Sequence, residues 1–154
     1  MNNSAQLIPQ KGDTLEAVLQ LQLKNTRLFL DLLEDEQALL TSGRIDDLAS
    51  LVADKDRVVQ QLAQLDTQLN ANLTALDFPE GVQGIKAWIA ANHPESENFC
   101  DWEELLKLTR LARQLNQTNA NIISTWLQYT RQTLNTLYSA AGHTTLYDPK
   151  GQVA

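Results

Sequence analysis

One cysteine, four prolines and six glycines are all that 154 residues contain of each, and each scarcity excludes something. The lone Cys100 rules out an internal disulfide and fits a reducing compartment. Scarce glycine and proline, with only short β-branched runs, argue against a turn-rich β fold, while abundant Leu, Ala, Gln and Asn favour helices. No apolar run approaches the ~20 residues of a membrane span, so membrane insertion is not expected. The opening MNNSAQLIPQKGD lacks the charged start and apolar core of a signal peptide. The expectation is a cytoplasmic chain. Positive charge is also short: 12 Lys and Arg against 19 Asp and Glu, a net charge of −7. A nucleic-acid phosphate backbone is therefore an unsuited partner.

Catalytic and metal-binding constellations are missing as well. His93 falls in an expected loop and His143 in the tail, with Cys100 isolated between them. No Glu-x-x-His pair of a di-iron bundle occurs, nor a P-loop, a dinucleotide fingerprint or an EF-hand spacing. Glu34, Asp35 and Glu36 are adjacent in sequence, so they fan around a helix and do not converge as an acid/base pair. A solvated helix face accounts for them. The sequence points to no enzyme, no catalytic residue, no cofactor and no metal.

What is present reads as an all-α antiparallel bundle, a single domain over 1–154, built on a coiled-coil-like helix hairpin and a long C-terminal helix. Residues 1–12 hold Pro9 and Gly12 and read as a frayed lead-in. Asp13-Thr14-Leu15-Glu16 has capping-box form and opens helix 13–41, with Leu15, Leu19, Leu23, Leu30, Leu33 and Leu40 inward. Gly43 stops it by taking the left-handed cap conformation without a Cβ clash. Asp46 or Asp47 then caps helix 46–76, where Lys55, Val58, Leu62, Leu65, Leu69, Asn72 or Leu73, and Leu76 follow a 3-4 heptad spacing. Lys55 lays its stem along that seam, with its ammonium either in water or on a partner. Asp77-Phe78-Pro79 ends the hairpin, and a short helix 80–92 presents Val82, Ile85, Trp88 and Ile89 on one face. Trp88 reads as a packing residue closing the bundle's end.

The last helix, 101–139, begins at the capping box Asp101-Trp102-Glu103-Glu104, with Cys100 and Leu105 as a hydrophobic staple. It is followed by a flexible tail, 143–154, containing Pro149 and Gly151. Residues 13–66 carry 11 acidic and 5 basic side chains, whereas residues 101–131 carry 3 and 4. This helix is thus the least acidic surface. Leu105, Leu108, Ala112, Leu115, Asn119, Ile122, Trp126 and Tyr129 make one helical-spacing seam. Ile123, Leu127, Thr130, Leu134, Leu137 and Ala141 make a second row beside it. Together they cover roughly half the circumference, more than the ~100° stripe of a helix packed on one side. Two readings stay open: burial on two sides within the bundle, or an arc left for a partner helix.

Leu115-Asn116-Gln117-Thr118-Asn119 with Ile122-Ile123, then Thr145-Leu146-Tyr147 and Gly151-Gln152, resembles the FlgN family of flagellar export chaperones. The hairpin is similar too, with its Leu39-Leu40 to Gly43 break followed by Asp46, Leu48, Leu51 and Lys55. The likeness runs from about Thr14 to Gln152. It implies a cytoplasmic chaperone that binds the C-terminal segments of hook-associated proteins, prevents their premature assembly and delivers them to the type III export gate. Carried over residue by residue, it implies a cargo surface of Leu115, Asn119, Ile122, Ile123, Trp126, Leu127 and Leu134, with Tyr147 docking to the export gate. Ala120 stands where the family often has glycine, which favours a stiffer helix by ~1 kcal/mol. The chain also ends soon after Gln152, where relatives can carry a longer basic tail. The alternative is a non-enzymatic helical scaffold or self-assembling coiled coil, and a homodimer through the last helix in the cargo-free state fits either reading.

Overall fold

A computed structural model of the chain describes residues 14–92 and 97–142. Among them every regular element is helical: α1 Leu15–Thr41, a 3-10 turn Ile45–Asp47, α2 Leu48–Ala75, α3 Val82–Ala91 and α4 Glu97–Ala140. The fold is an all-α bundle, as the composition implies. By its contacts the chain divides into two compact units, Met1–Asn116 and Gln117–Ala154.

The first unit contains the hairpin. Thr14 caps α1, its Oγ1 accepting from the Ala17 N–H at 3.3 Å, one residue later than the expected Asp13 box. At the other end, Gly43 sits at φ +72°. The Arg44 N–H donates to the Leu39 carbonyl at 3.0 Å and the Gly43 N–H to Leu40 at 3.3 Å, so the last carbonyls are satisfied by a Schellman turn. Asp47 occupies the N-cap position of α2, as expected, but its side chain makes no capping hydrogen bond. It ends the 3-10 turn that also holds Asp46, and it pairs with Arg44 at 2.7 Å. Helix α2 also closes on a Schellman turn, with Phe78 N–H on the Leu73 carbonyl at 2.9 Å and Asp77 N–H on Thr74 at 3.1 Å. Its left-handed residue is Asp77 at φ +64°, an aspartate where glycine is usual. This turn brings Phe78 against the cluster that contains Leu73, an apolar contact that accompanies such caps.

The core follows most of the predicted seams, but Leu62 of α2 is half-buried and Val82 of α3 is exposed. Leu15, Leu19, Leu23, Leu33 and Leu40 of α1 are buried, and Leu30 is half-buried. On α2 the seam continues from Leu69 to the buried Leu73, leaving Leu76 exposed. Ile85, Trp88 and Ile89 of α3 join Trp102 and Leu105 of α4 in the same cluster. Trp88 is therefore a core residue. Gly84 has no room for a side chain, since a Cβ there would fall 1.6 Å from the Pro79 carbonyl oxygen. This close approach holds α3 against the turn that precedes it.

Two polar residues depart from the solvent-facing expectation. Glu36 is buried, and Lys55 pairs with it at 2.8 Å instead of extending into water. Glu34 and Asp35 do face solvent. Helix α4 begins at Glu97, four residues before the expected box, which places Cys100 and Asp101 inside the helix. Trp102 and Leu105, buried in the core, anchor that first stretch, and Glu104 adds an exposed ion pair to Arg27 of α1 at 2.6 Å. Such a surface pair contributes ~0–1 kcal/mol.

Candidate interaction surface

Burial along the predicted α4 seam changes with position. Leu105, Ala112 and Asn119 are buried, Asn119 to 1% exposure, and Leu108, Leu115 and Ile122 are half-buried. Beyond them Trp126 is 44% and Tyr129 71% exposed. The neighbouring row is exposed throughout, from Ile123 through Leu127 (57%) and Leu134 to Leu137 (60%). The two readings of the wide arc therefore divide along the chain. The early part of α4 contributes to the core, and the later part leaves its apolar side chains uncovered.

In the second unit, residues 117–140 of the helix span about 36 Å at 1.5 Å per residue. At ~100° per residue, Trp126, Leu137, Ile123, Leu134, Leu127 and Tyr138 fall within an arc of about 120°, and Tyr129 flanks it. Ile123, Leu127, Thr130, Leu134, Leu137 and Ala141 step 4-3-4-3-4 along the middle, the spacing that meshes with another helix. The polar side chains of this stretch are largely engaged locally. The hydroxyls of Thr125, Thr130, Thr133 and Thr136 each donate to the carbonyl four residues back at 2.9 Å. Gln117 Nε2 donates to Asn121 Oδ1 at 3.1 Å. Arg131 is the one charged residue between Gln117 and Ala140. The face therefore offers a partner apolar area, with little ionic chemistry and few free hydroxyls.

Of the seven residues singled out by sequence, Ile123, Trp126, Leu127 and Leu134 lie exposed on this face. Ile122 and Leu115 are half-buried, and Asn119 is buried. Leu137, Tyr138 and Tyr129 belong to the exposed surface but were not among the seven. The heptad step carrying Leu137 was visible in sequence, whereas Tyr138 lies outside both rows. Tyr147 falls outside the described residues, as do His93, His143 and the tail 143–154. Among the described residues no group of three or more His, Cys, Asp and Glu could hold a metal ion. No helix among them is long and apolar enough to cross a membrane.

Comparison with known proteins agrees with the pattern. The family model described as FlgN protein matches residues 11–154. Neither a curated protein nor a solved structure matches the chain.

Proposed function

The chain belongs to the FlgN family of flagellar export chaperones, and from that premise we propose that α4 holds the C-terminal segments of hook-associated proteins in the cytoplasm until export. The observation that carries the proposal is the uncovered apolar row Ile123, Trp126, Leu127, Leu134 and Leu137 on a nearly uncharged helix. An amphipathic cargo helix lays its apolar side on that row, a helix-in-groove contact, and is kept from pairing with other subunits. Loaded chaperone then delivers its cargo to the type III export gate.

The energetics suit a reversible hold. Four anchors such as Ile123, Trp126, Leu127 and Leu134 contribute a gross ~6–12 kcal/mol when covered. Ordering a flexible cargo segment costs ~2–5 kcal/mol of this. The balance of ~1–10 kcal/mol, less the translational and rotational freedom lost on association, corresponds to roughly micromolar binding or weaker. Moderate affinity lets the gate strip the cargo off. In the cargo-free state the same face is masked by a second copy of the chain, so self-association and cargo binding are mutually exclusive.

Calorimetry with synthetic C-terminal segments of hook-associated proteins tests this directly. A near-stoichiometric, roughly micromolar isotherm is expected, with any chaperone dimer dissociating as the segment is added. Absence of heat with every such segment, or a dimer that persists at saturation, removes the chaperone mechanism and leaves a self-assembling scaffold. Gate docking is assigned separately to Tyr147. Tyr147→Ala is expected to keep the calorimetric affinity within about twofold, as suits a residue outside the anchors, while export of the cargo falls. Export at the wild-type level discards the docking role.

A further inference from the structure

The first unit carries an open groove of about 510 Å³ that the cargo face does not use. That volume lies within the ~300–1,000 Å³ of small-ligand sites. Phe29 of α1, Ile85 of α3 and Trp102 of α4 line it, and its surface is mostly apolar. Gln22 lines it as well and is only 8% exposed. The Gln22 side-chain oxygen is buried and accepts no hydrogen bond among the described residues. A buried acceptor in that state forgoes the bonds it had in water. The terminal torsion of a glutamine is soft, so a small turn presents this oxygen to a donor that enters the groove. Two charges stand in the same lining, Asp66 of α2 and Arg113 of α4. Both are exposed, and neither is in an ion pair among the described residues.

We propose that this groove docks a tryptophan-bearing peptide segment of a partner protein, with the indole against Phe29 and Trp102 and its N–H donating to Gln22 Oε1. The walls set each part of that occupant. Aromatic walls favour an aromatic guest, offset or edge-on. The unpaired acceptor calls for a donor, and the indole nitrogen is a donor only. A tyrosine hydroxyl would bring acceptor lone pairs that Gln22 Oε1 cannot meet. A lysine would supply a donor but would have to leave water for an apolar site, and a serine or threonine is too small to cover the walls. The two free charges complete the match. Asp66 and Arg113 complement a basic residue on one side of the tryptophan and an acidic one on the other. The site does not rest on the cargo assignment, because every residue named belongs to the first unit.

The full chain, labelled for NMR and titrated with the end-blocked peptides Lys-Ala-Trp-Ala-Glu and Glu-Ala-Trp-Ala-Lys, supplies the test. At least one of the two orders is expected to move the Trp102 indole and Ile85 methyl signals, with a Kd on the order of 0.1–1 mM. The same peptide with 1-methyltryptophan keeps the ring but lacks the N–H. It should bind about 3–10-fold more weakly, the loss of one net hydrogen bond. Gln22→Leu should erase that difference and keep the fold, since it removes an acceptor that the free protein leaves unpaired. Trp126→Ala with Ile123→Ala should leave the titration unchanged. Unmoved signals with both peptides, or equal affinity for the tryptophan and 1-methyltryptophan forms, overturn the proposal. A titration weakened in the Trp126 and Ile123 double variant overturns it too, because the peptide then sits on the cargo face. So does a Trp102 signal that shifts with protein concentration alone, because a second copy then fills the groove.

Discussion

Trp126→Ala combined with Ile123→Ala is expected to weaken binding of a hook-associated C-terminal segment by roughly 10²–10⁴-fold while leaving the protein folded. The magnitude follows from covering two large apolar side chains, ~1.5–3 kcal/mol each, at ~1.4 kcal/mol per tenfold in affinity. The sparing of the fold follows from exposure: Ile123 and Trp126 are already 41% and 44% exposed in the free chain. Truncating such side chains usually changes stability by less than ~0.5 kcal/mol, and alanine is a better helix former than either. Calorimetry and circular dichroism on the same preparation read both halves. Loss of helicity would mean this face is packed core, and full-strength binding by a folded double variant would mean cargo sits elsewhere. A Leu105→Ala variant offers the contrast, since Leu105 belongs to the buried cluster and its truncation should lower stability by ~2–5 kcal/mol.

The helices were legible because their signals are local. Heptad steps at Val58, Leu65 and Leu69, the stop at Gly43 and the break at Pro79 each need only a few neighbouring residues. Where α4 begins was less legible, because Asp101-Trp102-Glu103-Glu104 has the form of a cap but Trp102 and Leu105 are held in the core and the helix extends back to Glu97. Tertiary packing outweighed the capping preference there. Asp47 stands at the N-cap as its position implied, but its side chain does not bond the helix, because Arg44 sits three residues away and takes its carboxylate at 2.7 Å. The breadth of the α4 arc was readable, but its division was not. Leu105 and Trp126 belong to one seam by spacing, and only the folded chain distinguishes the covered residue from the uncovered one. The plain repeat of apolar residues contains no information about which neighbours exist to cover it.

The ion pair in the hairpin leads to the second large effect. Lys55→Met is expected to destabilise the protein by ~3–5 kcal/mol, because it leaves the Glu36 carboxylate inside the α1–α2 interface without its ammonium. The Glu36 side chain is 5% exposed and that of Lys55 18%, at 2.8 Å, so water cannot readily replace the lost partner. Methionine keeps the length and apolar character of the lysine stem, and the loss is therefore electrostatic and not a packing void. For a chain of this size ~1 kcal/mol shifts the melting midpoint by ~2–4 °C, so a fall of roughly 6–20 °C should be seen. Glu36→Leu combined with Lys55→Met should recover most of that fall, as buried pairs replaced by apolar residues usually do. If the single variant melts within ~2 °C of wild type, the carboxylate is hydrated and the pair is incidental. The pair's position suggests what it is for: Leu33, Glu36 and Leu40 are spaced 3-4 along α1, and Lys55 and Val58 continue the facing seam on α2. A charge at a seam position favours one alignment of two otherwise repetitive leucine rows, since a shift by one heptad would set Glu36 against Leu48 or Leu62 and take Lys55 away from any carboxylate, to Phe29 or Gly43. The double variant should then be stable but less uniquely aligned, with broadened or doubled NMR signals for Leu33 and Val58. Single sharp signals there would limit the pair to stability and leave alignment to the Gly43 turn.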